Sequence, residues 1–379
     1  MEGKREIVMN LTVPKTELSK ALSIVIKAVS TKSPLPILSS VLLCAKEGQL
    51  VLSTTNLEIG ITKTIKADVK EEGECTLPAK TFSELVSSLA EEEVKLKFDS
   101  TDFSVTITSG KSKSKLKGID AQEFPPITVM TVGNTFSLPV TIFKDMIVQT
   151  SFCASDDDAR PTLQNVQLVG EQDALSLNAT DGYSIAHTTH NNIDYDLQRI
   201  NSLISAKSLD TLSKILAGYK NDETVNIAIL DNKAIFQIET LVFTAQLSEG
   251  EFPNWKVILP TAFETSVTMP LENLVTACKQ ASIIAKEGNN AVVLNIKQDK
   301  VTVSSISEEV GNSENIMDGV LIGNELEVAF NVDFLSAILA RIDGESVVLE
   351  LNTNKSPCRI SEKMAVKGTF YILMPLTLG

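Results

Sequence analysis

Three consecutive carboxylates, Asp156, Asp157 and Asp158, form a dense cluster of hard oxygen ligands that could hold a divalent cation. No further ligands stand at a convincing spacing, so a solvated acidic loop is the simpler reading. The two histidines, His187 and His190, follow a strand-like stretch in which positions three apart face opposite sides. They are therefore not expected to share a metal, and they read as structural or surface side chains. Ala179-Thr180-Asp181-Gly182 has the look of an active-site loop, yet a turn in which Asp181 bonds backbone and Gly182 takes positive φ accounts for it. The sequence holds no G-x-S-x-G elbow, no phosphate loop and no H-E-x-x-H pair. Its five cysteines (Cys44, Cys75, Cys153, Cys278, Cys358) are scattered and form no C-x-x-C pair, which suits free thiols in a reducing cytoplasm and argues against zinc. No catalytic residue, metal or cofactor is expected.

Two other features point to binding. Lys111, Lys113, Lys115 and Lys117 occupy every second position, so on a strand they make a positive ladder, with Ser112, Ser114 and Leu116 on the other face. The ladder either protects a sheet edge from aggregation or pairs with an acidic strand of another subunit, for which Glu308, Glu309 and Glu314 are candidates. The chain closes on an apolar tail, Tyr371-Ile372-Leu373-Met374-Pro375-Leu376. Tyr371–Leu373 reads as a last sheet strand, and the exposed Met374 and Leu376 beyond it suit an adaptable peptide-binding surface.

The elements that must position these residues come from a repeat. Leu11-Thr-Val-Pro14, Phe136-Ser-Leu-Pro139 and Val267-Thr-Met-Pro270 each lead into a helical pattern, with the prolines 125 and 131 residues apart. Proline suits the first helical turn, whose N–H lacks a partner anyway. A second helix opens at Ala79, Ala206 and Asn331, spaced by 127 and 125 residues, and Glu-Phe-Pro recurs at 123–125 and 251–253. Agreement of separate landmarks on one period makes the chain three copies of one domain, with boundaries at 1–127, 128–258 and 259–379. Helix 14–29 carries Leu18, Ala21, Leu22, Val25 and Val29 on one stripe. Alternating segments 94–98/103–107, 225–229/234–238 and 347–351/357–360 read as hairpins. The fold class is α+β, two helices packed on antiparallel sheet in each repeat, with proline-bearing linkers near 125–135 and 253–266.

Composition narrows the function. Hydrophobic residues make up 43% of 379, enough for ordinary buried cores. No run approaches the ~20 apolar residues of a membrane span, and no apolar signal core follows the N-terminus, so membrane and secreted classes are set aside and a cytoplasmic protein is expected. Acids outnumber bases 48 to 34, giving −14, a charge that by itself argues against coating nucleic acid.

The sequence resembles the bacterial DNA polymerase III β subunit family, the replicative sliding clamps, from Leu11 to Leu378. The resemblance rests on Leu35-Pro36-Ile37-Leu38 with Thr55-Asn56-Leu57-Glu58-Ile59, on Arg160-Pro161-Thr162-Leu163 with Ala179-Thr180-Asp181-Gly182, and on Glu251-Phe252-Pro253 with the terminal Tyr371-Ile372-Leu373-Met374-Pro375. It implies a head-to-tail homodimer of three-domain subunits, a ring around duplex DNA that tethers the replicative polymerase as a processivity factor and has no catalysis of its own. Helix packing is consistent with two chains. Six helices about 10 Å wide give a circumference of roughly 60 Å and an opening near ~9 Å, whereas twelve give an opening near ~28 Å. B-DNA is wider than about 16 Å.

The charge problem then resolves. Segments 14–29 and 206–220 each carry +2, while 78–90, 139–152, 270–287 and 331–342 are neutral, so the proposed lining sums to +4 and the remainder carries −18. A weakly positive bore permits sliding, and an acidic exterior discourages nonspecific coating. Lys20, Lys27, Lys80, Lys144, Lys207, Lys214, Lys279 and Arg341 are the bore candidates, and Lys32 matches a DNA-contacting position of the family. The resemblance further implies a pocket taking short linear peptides of the polymerase III catalytic subunit, clamp loader and repair proteins. Its walls would be Leu163, Thr180, Gly182, Tyr183, Ile185, Pro253, Ile258, Ile372, Met374, Pro375 and Leu376. The dimer interface would combine Lys111, Lys113, Ser114 and Leu116 with Ile283, Ile284, Glu308 and Glu309. Ser184 and Thr377 stand where family members often carry arginine, which alters the pocket rim. A specialised clamp for repair or a mobile element, and a repeat-built scaffold that never meets DNA, remain as alternatives.

Overall fold

The computed structural model describes residues 9–30, 34–127, 135–193, 200–230, 232–363 and 368–377. Its helices are α1 (Lys15–Val25), α2 (Ala79–Ser88), α3 (Val140–Thr150), α4 (Ala206–Leu216), α5 (Leu271–Ala285) and α6 (Val332–Leu339). The repeat read from the proline spacing is visible in the hydrogen bonds. Strands Asn10–Pro14, Phe136–Pro139 and Thr265–Pro270 each run into α1, α3 and α5, and each pairs antiparallel with the first strand of a hairpin, Glu93–Asp99, Thr224–Ile229 and Ser346–Leu351. In all three repeats the first helical N–H donates to the carbonyl of a glutamate beside that strand: Lys15 to Glu92 at 2.7 Å, Val140 to Glu223 at 2.9 Å and Leu271 to Glu345 at 2.9 Å.

The prolines stand one place earlier than the sequence suggests. Pro14 and Pro270 have extended ψ values of 131° and 127° and occupy the N-cap, as the last strand residue. A residue without an N–H can end a strand there, because the donor the ladder needs comes from the next residue. On α1 the stripe Leu18, Ala21, Leu22 and Val25 is buried, but Val29 lies beyond the helix in extended conformation, after a single 3-10 turn at Ile26–Ala28. The three expected hairpins all form, with registers such as Leu96 opposite Ile107, Ile227 opposite Phe236 and Leu349 opposite Ile360.

Contacts divide the chain into two compact units, Met1–Thr141 with Lys214–Leu247, and Ile142–Ser213 with Ser248–Gly379. The division passes through the second repeat for a backbone reason. Strand Leu241–Ser248 of that repeat pairs antiparallel with Ile59–Lys66 of the first, whereas its strand Ser184–His190 pairs with Phe370–Leu373 of the third. In the first unit the sheet that contains the former pair has a core face of Leu43, Leu52, Ile61, Phe236 and Phe243. In the second unit the equivalent sheet buries Leu168, Leu177, Ala186, Tyr371 and Leu349.

The linker near 253–266 is no free tether. A 3-10 turn at Trp255–Ile258 presses the buried Trp255 onto Ile185 and Ile372, with Phe252, Leu259 and Phe370 packed around them. Much of the linker near 125–135 lies outside the described residues. Among the described residues, no helix is long and apolar enough to cross a membrane.

Candidate functional site

Where strand Ser184–His190 meets Phe370–Leu373, the turn before it is a hydrogen-bonded cage. Asp181 Oδ1 accepts from the N–H groups of Tyr183 (2.8 Å) and Ser184 (2.7 Å), the Gly182 N–H donates to Thr180 Oγ1 (3.1 Å), and the Thr180 hydroxyl donates to the Ser184 carbonyl (2.6 Å). Gly182 takes φ +94°, as the turn reading requires, and the Arg160 guanidinium, donating to the Asp181 carbonyl, closes the space a Cβ would need. The cage holds Tyr183 outward, 55% exposed, with its ring stacked on Phe334 of α6 at 5.8 Å and 17°. The tail is clipped beside it. Met374 N–H donates to the Tyr183 carbonyl (3.0 Å) and Leu376 N–H to the Ala329 carbonyl (2.8 Å), leaving Met374, Pro375 and Leu376 half-buried, more covered than the sequence suggests.

The eleven pocket residues fall into two layers. Ile185 and Ile372 are buried against Trp255, Thr180 is buried opposite Ile185 on the neighbouring strand, and Leu163 is half-buried in the 3-10 turn Pro161–Gln164. Gly182, Tyr183, Pro253 and Ile258 are exposed, and the three tail residues form the intermediate rim. Tyr183 lines a cavity of about 320 Å³ with Phe334, Cys153, Asp156 and Arg160, Pro253 lines another of about 370 Å³ with His187, and Leu376 lines a third of about 140 Å³ with Ala329. Ser184 does not sit on a rim. It is buried, within 3.1 Å of the Cys153 thiol and donating to Asp181 Oδ2. Burial pushes the Cys153 thiol up to about 12, so it packs and does not react.

Phe334 was missed from sequence because nothing in Asn331-Val332-Asp333-Phe334 says which face of α6 meets the turn. The acidic run has local duties instead: Asp157 accepts from Ala159 N–H and Arg160 Nε, and Asp158 from Gln164. Among the described residues, no group of three His, Cys, Asp or Glu is placed to hold a metal. His187 packs at a tilt against Trp255 (5.2 Å) and Phe370 (4.7 Å), and burial, then Lys256, push its pKa down to about 4. It is a structural side chain, as expected.

The same cage recurs in the first repeat. Asn56 Oδ1 accepts from Glu58 and Ile59 N–H, Leu57 N–H donates to Thr55 Oγ1, Thr55 donates to the Ile59 carbonyl, and Gln246 N–H donates to Glu58 as Met374 does to Tyr183. There the pair equivalent to Ile185 and Ile372 is Gly60 and Thr244. The scaffold is duplicated, but the apolar floor is not.

Among the basic candidates, Lys20, Lys27, Lys80, Lys207, Lys214 and Lys279 are exposed on or beside their helices, Lys20 within 3.6 Å of Glu17. Lys144 is half-buried beside Asp145 at 3.5 Å, and the half-buried Arg341 lays its guanidinium over the Phe152 ring at 5.2 Å. Lys32 lies outside the described residues. Strand Ser112–Lys117 is the outer strand of a five-stranded sheet, with Lys113, Lys115 and Lys117 exposed and Ser114 and Leu116 half-buried. Lys111 sits in the preceding turn, and Lys115 pairs with Asp102 at 2.8 Å. Strand Gly311–Asp318 is the outer strand of a four-stranded sheet, with Glu308, Glu309 and Glu314 exposed. Ile283 (68%) and Ile306 (70%) are exposed on α5 and on the neighbouring strand, and Ile284 is half-buried.

Comparison with known proteins covers almost all of this architecture. Family models described as the DNA polymerase III beta subunit N-terminal, central and C-terminal domains match residues 9–128, 137–254 and 256–377. A beta sliding clamp of Halalkalibacterium halodurans is 31% identical over 367 residues, spanning 93% of this chain and 96% of that protein. One from a Synechocystis species is 28% identical, spanning 98% and 100%. The solved DNA polymerase sliding clamp of Bacillus subtilis superposes with a TM-score of 0.93 at 26% identity, over 98% of this chain and 100% of that one.

Proposed function

The chain belongs to the DNA polymerase III beta subunit family, and we infer from this that it is a DNA sliding clamp. The observation that carries the reading is the threefold repeat, matched in order by all three domain models. The clamp is a head-to-tail homodimer that encircles duplex DNA in the cytoplasm and tethers the replicative polymerase without catalysing a reaction. Its lysine-bearing edge Ser112–Lys117 pairs with the acidic edge Gly311–Asp318 of a second copy, and Ile283, Ile284, Leu116 and Ser114 are covered there. Opposite charges on two open edges supply both register and orientation. The exposed lysines of the helices face the duplex and hold it weakly enough to slide. Tyr183, Pro253, Ile258 and the Met374–Leu376 rim receive short linear peptides of the polymerase, the clamp loader and repair proteins. Tethering raises the polymerase's effective concentration at the primer end. The comparisons favour neither a clamp reserved for repair or mobile elements nor a scaffold that never meets DNA.

Two linked measurements test the reading. Light scattering at low micromolar concentration should give about 82 kDa, twice the chain's 41.1 kDa. Protein loaded on nicked circular DNA should then be retained and should slide off on linearisation. Equal release from both DNA forms would refute encirclement.

A further inference from the structure

The outward face of the first-repeat sheet concentrates lysine in a chain whose net charge is −14. The sheet runs in the order Asp68–Glu71, Asn10–Pro14, Glu93–Asp99, Ser104–Ser109, Ser112–Lys117. Across its last three strands two rows lie side by side: Lys97, Thr106 and Lys115, then Lys95, Thr108 and Lys113. All four lysines are exposed and both threonines half-buried, while the alternate residues Leu96, Phe98, Val105 and Ile107 face the core. The rows form a trough floored by two hydroxyls and walled by two lysine columns. The columns stand about 9.4–9.8 Å apart, two strand spacings, and the rows about 6.8 Å apart.

Edge protection accounts for Lys113 and Lys115 on the outer strand, but not for Lys95 and Lys97, which stand on the middle strand of five. The fold does not need lysine at these places either. In the second repeat the four lysine positions are held by Asn226, Ala228, Val242 and Thr244. In the third, Val348, Glu350 and Ile372 match Lys95, Lys97 and Lys115. Among the described residues, Lys95, Lys97 and Lys113 make no ion pair, and the Thr106 and Thr108 hydroxyls make no hydrogen bond. Lys115 pairs with Asp102 at 2.8 Å on an exposed site, where an ion pair holds weakly. The patch is also bounded. Asp99 and Asp102 stand at one end, Glu93 at the other, and Asp68 lies beyond Thr12 on the side away from the open edge.

We propose that this trough binds a short acidic segment of a partner protein, in extended conformation, with two Asp or Glu side chains two residues apart. An extended peptide presents alternate side chains on one face at the same repeat of about 6.8 Å. Lying along Ser104–Ser109, it sets one carboxylate over Thr106 between Lys97 and Lys115, and the next over Thr108 between Lys95 and Lys113. Each carboxylate then accepts from one hydroxyl and two ammonium groups, which its four lone-pair sites accommodate. A nucleic-acid strand fits less well. Its phosphates continue past the two rows into Asp99, Asp102 or Glu93, and the rows offer no aromatic ring on which a base could stack. The dimer edge proposed above adds a strand in the plane of the sheet, so it does not cover Lys95 and Lys97, two strands inward.

The test is fluorescence polarisation of labelled probes on the full-length protein at low salt. One probe is a Gly/Ser peptide with two glutamates two positions apart, and a second has them adjacent. A third is a thymidine trinucleotide, whose two phosphodiesters carry the same charge. The first peptide should bind about tenfold more tightly than the second and lose affinity as salt rises. Lys95→Gln with Lys97→Gln, away from the proposed dimer edge, should weaken it at least about tenfold at unchanged solution mass. Thr106→Val with Thr108→Val keeps the shape and the charge but removes the hydroxyls, and should weaken it about three- to tenfold. The threonine pair also serves if the lysine pair disturbs the sheet. Equal affinity of the two peptides, tighter binding of the trinucleotide, no binding of any probe, or an affinity unchanged in either variant pair would each overturn the proposal.

Discussion

Acidification should weaken this protein through one ring. His187 is held neutral by burial against Trp255 and Phe370 and by the positive charges of Lys256 and Arg359, with Glu171 opposing them. Its pKa falls from the ordinary 6.5 to about 4, so between those values the unfolded chain binds a proton that the folded one refuses. The stabilisation is therefore complete above pH 6.5 and is lost as the pH falls toward 4. At about 1.36 kcal/mol per pH unit the full loss is about 3 kcal/mol. The carboxylates also titrate in this range, so the informative quantity is the difference between the wild type and His187→Phe. Trp255, the single tryptophan, reports on this site by fluorescence, and urea titrations followed at its emission between pH 7.5 and 4 give the two stabilities. The wild type's advantage over the variant should shrink by about 3 kcal/mol across that range. Parallel pH profiles would show that His187 titrates normally and would sink the burial argument.

Other perturbations separate the surfaces. Leu376→Ala removes rim side chain but keeps the backbone bond to Ala329, so partner peptides should bind about tenfold more weakly by fluorescence polarisation, with the solution mass unchanged. Unchanged affinity would remove the rim from the site. Ile283→Asp places a carboxylate on an exposed apolar position of α5 and should weaken the dimer at least about a hundredfold, bringing the sedimented mass from about 82 toward 41.1 kDa. Asn331 caps α6 by accepting from Asp333 (2.9 Å) and Phe334 (3.3 Å), and Asn331→Ala should cost about 1 kcal/mol by denaturant titration, with a further loss of peptide affinity as Phe334 loosens beneath Tyr183.

Much of this was written in local pattern. The proline landmarks and the hairpin alternation depend on contacts within a repeat, where polarity at period two or 3.6 is enough to say which face is buried. The turn at Thr180–Ser184 was equally legible, because Asp and Gly specify such a turn from their own side-chain and φ preferences. Local pattern also went wrong in small ways, placing the prolines inside the helices and extending α1 to Val29, because strand ends and helix starts share the same residues.

Other features depended on distant partners. That Ile185 and Ile372 form a floor under Trp255, while the matching positions in the first repeat are Gly60 and Thr244, follows from which strands pair across repeats. The stack of Tyr183 on Phe334 joins residues 151 positions apart (334 − 183), and the tail is only half-open because Ala329 and Tyr183 hold its N–H groups. His187 Nδ1 lies 2.7 Å from Asn178 Oδ1, which a further amide, Gln167, links to Asn201 on a neighbouring strand. The sequence by itself determined the repeat, its elements and the chemistry available, since those are properties of short segments. Which of those groups meet, and which of them are kept from water, was decided by tertiary structure, because burial and hydrogen-bond direction are properties of the neighbours a segment acquires.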